Sequence, residues 1–351
     1  MPALPPPPAA SFASDNAAGA VPEAMAALAA ANEGPALAYG DDPWTAAADA
    51  AVRELFGVDA TVTWCWGGTG ANVVALASVL RPWEAVITPD TAHIVVDEAG
   101  APVRFTGASL LPVPAVHGKL TPAGVQPFLD WQGTVHHPQP RVLSISQTTE
   151  AGTVYALDEL RSLTDLAHRH EMLVHVDGAR LANAVAATET SVADMVTAAG
   201  VDVVTLGLTK AGAMYGEAVV HLRPELGEHA PFVRKQAGQL PSKARFVAAQ
   251  ASALLADDAW IRHAAHANAM ARRLAEAVAG IDGVELVAPP AANAVFARIP
   301  WQRYEALSAW SFFWPWDPAE GVVRWMTSWA TQPDDVDAFA AGVAAVVGGV
   351  G

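Results

Sequence analysis

The chain reads as an α/β protein: a large domain with a mainly parallel sheet, followed by a smaller α+β domain at the C-terminal end. Three observations predict this. The runs AVITP (85–89), RVLSIS (141–146), MLVHVD (172–177) and VDVVTLG (201–207) have strand length and are apolar almost throughout, the pattern of strands covered on both faces. Between the second and third runs, LDELRSLTDLAHRH (157–170) carries Leu157, Leu160, Leu163 and Ala167 at near-helical spacing. Strands alternating with helices in this way build parallel sheets. Beyond residue 222 the pattern changes to long helical stretches and then, from near Val284, to short strands around turns. The expected division is residues 11–250 for the large domain with its N-terminal segment, 251–280 for a helical bridge and 281–350 for the small domain.

Size and composition agree with two domains, because a chain of 351 residues exceeds the length at which single cores stop growing. With 52% hydrophobic and 16% charged residues it can bury a substantial core, which excludes general disorder. The net charge is −16, from 36 acidic against 20 basic side chains. That balance disfavours nonspecific nucleic-acid binding, because no basic run supplies a phosphate-contacting footprint. Cys65 is the only cysteine, so no intrachain disulfide forms and a buried structural role is expected. Residues 1–10 are proline-rich without a basic segment leading into an apolar one, and no clean run of about twenty apolar residues predicts a membrane span. A cytoplasmic protein without membrane or nucleic-acid partners is the resulting expectation.

Taken in order, FASDNAAG leads into PEAMAALAAAN, where Pro22 and Glu23 suit a first helical turn. Ser14, Asp15 and Asn16 are turn and cap residues or the polar lip of a site. EGPALAYGDDPW (33–44) is rich in turn formers, with Tyr39 ahead of Gly40. A helical pattern covers 45–56 and a strand 58–66. Then Gly67, Gly68, Thr69, Gly70, Ala71 and Asn72 run directly into VVALASVL. A glycine-rich turn at a helix start offers backbone N–H groups to an anion, and a plain tight turn explains the same residues. His93 follows the 85–89 strand, as a structural histidine or one that stacks on a planar cofactor. QTTEAGTVY (147–155) follows the next strand. No histidine pair has metal-ligand spacing.

The run 201–222 ends in small residues, presents Lys210 between Thr209 and Ala211, and becomes apolar again at Ala218. A lysine so placed is a loop residue or a Schiff-base former. HVDGAR (175–180) upstream shifts the balance, since ligands of α/β sheets bind beyond strand C-termini. Asp177 suits a protonated pyridine nitrogen and Arg180 suits a carboxylate. Together with the Gly68 turn for phosphate, these residues make chemical sense for pyridoxal phosphate. The densest basic patch lies at 234–245, with Arg234 and Lys235 at its start. Arg324 stands inside the apolar GVVRWMTSW and requires an anion or hydrogen-bonding partners.

On these pieces the sequence resembles the low-specificity L-threonine aldolases, in a branch similar to phenylserine aldolases. The matching segments are SDN (14–16), YGDDP (39–43), GGTGAN (67–72), AHIVVDEAG (92–100), HVDGARLANA (175–184) and TLGLTKAGA (205–213). The resemblance implies the aspartate-aminotransferase-like fold, with a large domain that binds pyridoxal 5'-phosphate on a seven-stranded sheet. It implies Lys210 as the covalent anchor, Asp177 as pyridinium partner, His93 stacked on the ring, and Gly68, Thr69 and Gly70 at the phosphate. Ser14, Arg180 and Arg324 would hold the substrate carboxylate, with Tyr39 near the site. It further implies a homodimer or homotetramer with sites at subunit interfaces, Arg234 and Lys235 reaching a neighbour's phosphate. Two segments depart from the family pattern: TTEAGTVY replaces a histidine-containing loop, and GQLPSKARF replaces a glycine-rich one.

The expected reaction is cleavage of an L-β-hydroxy-α-amino acid, such as L-threonine, L-allo-threonine or phenylserine, to glycine and an aldehyde. A β-eliminating lyase, an aminotransferase and a metabolite-binding protein with a degenerate site are the alternatives. Three acceptors are open for the β-hydroxyl proton: His93, a water beside it, and Glu150.

Overall fold

The computed structural model describes residues 4–348. The first three residues of the proline-rich start and the last of the 281–350 region lie outside the described residues. The large sheet comprises β1 (Thr61–Cys65), β2 (Glu84–Pro89), β3 (Ser109–Val113), β4 (Gln139–Ser146), β5 (Leu173–Gly178), β6 (Val203–Gly207) and β7 (Glu217–His221). Its spatial order is β1-β7-β6-β5-β4-β2-β3. Only β7 runs against its neighbours, pairing antiparallel with both β1 and β6. The sheet is therefore mainly parallel and seven-stranded. β3 escapes the sequence pattern because Pro112 interrupts it; it pairs with β2 alone at the sheet edge, where a missing ladder donor is tolerated.

Helices cover both faces. The helix Gly68–Val79 buries nearly every side chain from Ala71 to Leu76, as a helix apolar all round must. Asn72 is its one polar intrusion at that depth besides Ser78. On the other side, the helix Leu157–Arg169 turns Leu160, Leu163 and Leu166 inward, into the core that holds Val174 and Val176.

A second, four-stranded antiparallel sheet has the order β10-β11-β9-β8, from β8 (Glu285–Leu286), β9 (Ala294–Arg298), β10 (Pro315–Asp317) and β11 (Val322–Met326). The helices Ala259–Val278 and Pro333–Val347 pack on it around Val295, Val323, Trp325 and Phe339. Phe12 joins this second core, its ring stacked on Phe339 at 4.2 Å between centroids. The Met326 N–H donates to the Phe12 carbonyl at 2.8 Å. The N-terminal segment grouped with the large domain thus begins inside the small core, because Phe12 finds its apolar partners there. It then crosses to the large sheet. Along β11, Val323 and Trp325 enter the core while Arg324 alternates to the opposite face.

No helix among the described residues is long and apolar enough to cross a membrane.

Candidate active site

The carboxyl ends of β1, β2, β4, β5 and β6 converge on one cavity. Gly68, Asn72, His93, Glu150, Asp177 and Lys210 line its inner part, with Arg180 at its wall. An outer part shares His93, Glu150, Arg180 and Lys210 and extends to Ser14, Trp316 and Arg324. Residues more than 300 positions apart in sequence therefore face one space.

Asp177 closes β5, and its environment holds it ionised. Its Oδ2 accepts from Asn72 Nδ2 at 2.8 Å and its Oδ1 from the Ala179 N–H at 2.9 Å. Burial alone would raise its pKa, but the Asn72 and Ala179 donors and the Lys210 charge bring it below the usual carboxylate range. Lys210 is held below the ordinary lysine range, first by the Arg180 charge and then by burial. A lysine shifted in that direction has more of its amine in the free-base, nucleophilic form.

His93 follows Ala92 after β2 and opens a four-residue helix. Its Nδ1 meets Glu98 Oε1 at 2.8 Å, and Glu98 has a fully buried side chain. The Glu98 bond raises the His93 pKa more than burial lowers it. Glu150 Oε1 accepts from the His93 backbone N–H at 2.9 Å and from Ser146 Oγ at 2.7 Å. Its Oε2 is buried without a partner among the described residues, and burial raises this carboxyl above its ordinary value.

Arg180 is gripped by Asp15, with Nε to Oδ2 at 2.7 Å and Nη2 to Oδ1 at 3.0 Å. Asn293 Nδ2 supports the same Oδ2 at 3.1 Å. Burial would raise Asp15, but Arg180 and Lys210 bring it down to about 2. Arg324 lies with its guanidinium 5.3 Å from the centre of the Trp316 ring. Its Nε is buried and unpartnered among the described residues, and burial together with Arg180 lowers its pKa. Ser14 both caps the short helix Asp15–Ala17, accepting from the Asn16 N–H at 3.2 Å, and lines the cavity.

Other residues singled out from the sequence sit elsewhere. Tyr39 is half exposed, in a left-handed backbone conformation (φ 65°), and Lys235 lies 5.4 Å from its ring centre. Neither of these, nor Arg234, lines the Lys210 cavity of its own chain. Arg234 donates from Nε to the Gln239 carbonyl, and its Nη2 is buried without a partner among the described residues. The side chain lying on the Gly68 turn is Gln239: its Oε1 accepts the Trp66 N–H at 3.0 Å, and a Cβ on Gly70 would strike it at 2.2 Å. Cys65 is buried and its thiol is pushed up to about 12 by burial, a structural residue.

The sequence motifs contained Asn72 and Glu98 without giving them roles, and read Asp15 as a turn or lip residue without pairing it to Arg180. A signal existed for Asp15, since a buried arginine demands a carboxylate. For Asn72 the signal was a polar residue among the apolar residues that run from Ala71 to Leu76.

The donor set fits pyridoxal 5'-phosphate. The first turn of the helix Gly68–Val79 leaves the Gly68, Thr69 and Gly70 N–H groups without helical acceptors; the first bond is Ala71 N–H to the Gly67 carbonyl. The space beside Gly67 and Gly68 is open, with nothing within 4 Å of a Cβ built there. An ionised carboxylate, a shifted lysine and an imidazole adjoin that space.

Comparison with known proteins agrees. Residues 11–300 match the family of beta-eliminating lyases. The chain is 44% identical to the low specificity L-threonine aldolase of Pseudomonas aeruginosa, covering 96% of this chain and 98% of that protein. It is 43% identical to the protein of that name from Pseudomonas sp., over 96% and 97% of the two chains. The solved structure of Leishmania major threonine aldolase superposes with a TM-score of 0.87 at 32% identity, covering 94% of this chain and 97% of that one. By sequence and fold alike, the chain belongs to the low-specificity L-threonine aldolases, lyases of the beta-eliminating lyase family that depend on pyridoxal phosphate.

Proposed function

We propose that this protein cleaves L-threonine, L-allo-threonine and related L-β-hydroxy-α-amino acids, phenylserine included, to glycine and an aldehyde. The observation that carries the substrate class is the difference between the two arginines of the outer cavity. Asp15 neutralises Arg180 through both of its oxygens, whereas Arg324 has no carboxylate within ion-pair distance among the described residues. The Arg324 guanidinium is therefore the one of these two arginines left to take a carboxylate, that of an amino acid, with Ser14 lining the same cavity.

In this reading Lys210 is the covalent anchor of the cofactor and Asp177 the partner of its ring nitrogen. Gly68, Thr69 and Gly70 hold its phosphate, and His93 covers the ring. When bound, pyridoxal phosphate supplies the sink for the electron pair of the breaking Cα–Cβ bond. Arg324 and Ser14 hold the carboxylate so that the reacting bond is oriented. A base takes the β-hydroxyl proton, the C–O bond becomes a carbonyl and the aldehyde departs. A proton returned to Cα completes glycine. Glu150 Oε2 is the favoured base, because it is a buried, unpartnered oxygen on a carboxyl raised in pKa.

Tyr39, Arg234 and Lys235 are assigned to a neighbouring subunit's cavity, in a homodimer or homotetramer. In support, Tyr39 and Lys235 form an exposed aromatic and basic surface outside the chain's own cavity, and Arg234, adjacent to Lys235 in sequence, is only partly buried. A cytoplasmic location belongs to the same proposal.

The test is product analysis with L-threonine, L-allo-threonine and phenylserine. Glycine and the matching aldehyde in equal amounts are expected, and their loss in Lys210→Ala. Pyruvate-type keto acid with ammonia would instead identify β-elimination.

A further inference from the structure

Asn72 donates from one amide nitrogen to two carboxylates that no other contact joins. Its Nδ2 lies 2.8 Å from Asp177 Oδ2 and 2.8 Å from Glu98 Oε1. Its Oδ1 accepts from Thr205 Oγ1 at 3.0 Å, and Thr205 in turn meets His175 Nε2 at 3.3 Å. The amide is therefore fixed at both ends, and neither hydrogen is free to seek another acceptor. Glu98 Oε1 receives two donors, Asn72 and His93 Nδ1, each at 2.8 Å. Its Oε2 is buried without a partner among the described residues.

We propose that Asn72 and Glu98 are positioning residues. Glu98 fixes His93 as the Nδ1–H tautomer with Nε2 as its bare nitrogen, and Asn72 ties the orientation of that pair to Asp177. The chemistry follows from the donor count. An oxygen that already accepts from Asn72 accepts rather than donates to the ring, so Nδ1 carries the hydrogen. Nε2 has no hydrogen-bond partner among the described residues and is left as an acceptor in the cavity. A second carboxylate oriented on an imidazole sets its tautomer and ring plane, as such partners do at metal and acyl-transfer sites. Here the partner is not free to rotate, because Asn72 anchors it to the residue that faces the cofactor ring. Asp177 and His93 are thus linked by three hydrogen bonds in series, Asp177 to Asn72, Asn72 to Glu98 and Glu98 to His93. Glu98 is fully buried and outside the cavity lining, and Asn72, buried at the cavity's inner wall, has both ends of its amide engaged; both act through the residues they orient.

The consequence for catalysis rests on the aldol-cleavage reading; the tautomer itself does not. Glu98→Gln keeps an oxygen where Oε1 accepts both donors and puts its amide at the Oε2 position, so orientation survives and charge is lost. Glu98→Ala removes both.

The experiment is nitrogen-15 NMR of histidine-labelled protein loaded with pyridoxal 5'-phosphate. His93 is assigned by its loss in His93→Ala, at a pH where the ring is neutral. Wild type and Glu98→Gln are expected to show Nδ1–H, and Glu98→Ala a shift toward Nε2–H. An Nε2–H ring in wild type, or the same tautomer in all three, would overturn the proposal. A double-mutant cycle then reads function. Glu98→Ala is expected to lower kcat about tenfold or more in wild type, yet less than about twofold in a His93→Ala background, because the two residues act as one unit. Losses that multiply would overturn it. If wild type shows no aldol cleavage at all, the functional reading fails while the tautomer measurement still stands.

Discussion

Asp15 and Arg180 are 165 positions apart and meet as a bidentate ion pair, Nε to Oδ2 at 2.7 Å and Nη2 to Oδ1 at 3.0 Å. The pair joins the N-terminal segment, which has just left the small core at Phe12, to the turn after β5. It also screens Lys210 from the full charge of Arg180, since Asp15 acts on the lysine in the opposite direction.

Replacing Asp15 by Asn leaves a buried guanidinium without its counter-charge, a loss that typically costs about 3–5 kcal/mol. The thermal midpoint is expected to fall by several degrees. The visible band of the bound cofactor is expected to titrate at lower pH, because Arg180 then depresses Lys210 further. A titration of the band that does not move in Asp15→Asn would refute the screening role.

Glu150→Gln keeps the bonds that Ser146 and the His93 backbone make to its Oε1 position and removes only the ability to take a proton. If Glu150 is the base, kcat should fall by about 10²–10⁴, the usual worth of such a group, with the cofactor spectrum intact. A kcat within about threefold of wild type would transfer the role to His93 Nε2 or a water beside it.

Stability should depend on pH through two buried histidines. His175 lies between Ser144 and Thr205 and His221 meets Ser78 Oγ at 2.7 Å. Burial lowers both from 6.5 to about 4. The unfolded chain binds these protons below pH 6.5 and the native state resists until about 4. Their stabilisation is therefore present above 6.5 and lost as pH falls through that window, on the order of 3 kcal/mol per histidine. Glu217 has the opposite sign: burial raises it to about 7, so its contribution is present below its unfolded value and lost as pH rises through 7. Urea midpoints of His221→Gln should fall less steeply between pH 6.5 and 4 than those of wild type. Identical slopes would exclude His221 as a contributor.

What the sequence revealed follows from the range of each interaction. The strands of the large sheet that are apolar throughout announce themselves, because burial on both faces leaves no polar position. β3 does not, since Pro112 is compatible with a strand only at an edge, and edge position is a property of the whole sheet. Lys210, Asp177 and His93 stood out in the sequence because each sits in a recognisable segment at or just beyond a strand end. Asn72 and Glu98 stood in those same segments, yet their roles depend on which carboxylate meets which amide across 26 and 105 positions. The placement of Gln239 on Gly70, and of Tyr39 and Lys235 outside their own chain's cavity, likewise depends on loop paths that local pattern does not encode.

Arg324 and Trp316 allow charge and packing to be separated. Arg324 is on β11 because alternation turns it away from Val323 and Trp325, and Trp316 on β10 lies under its guanidinium at 5.3 Å. If Arg324 binds the substrate carboxylate, Arg324→Ala loses a charge-assisted bidentate contact, worth about 1.5–3 kcal/mol, and KM for L-threonine should rise roughly 10- to 100-fold. Arg324→Lys should recover only part of this, because an ammonium lacks the planar fork. Trp316→Leu keeps the charge and removes the stack, a contribution of about 0.5–1 kcal/mol at such a half-exposed ring, so KM should rise only about two- to fivefold. Trp316→Leu in the Arg324→Ala background should then have little further effect on KM. An equal loss from Trp316→Leu with and without Arg324 would mean that the indole touches the substrate directly, as a wall for the β-substituent rather than a support for the arginine.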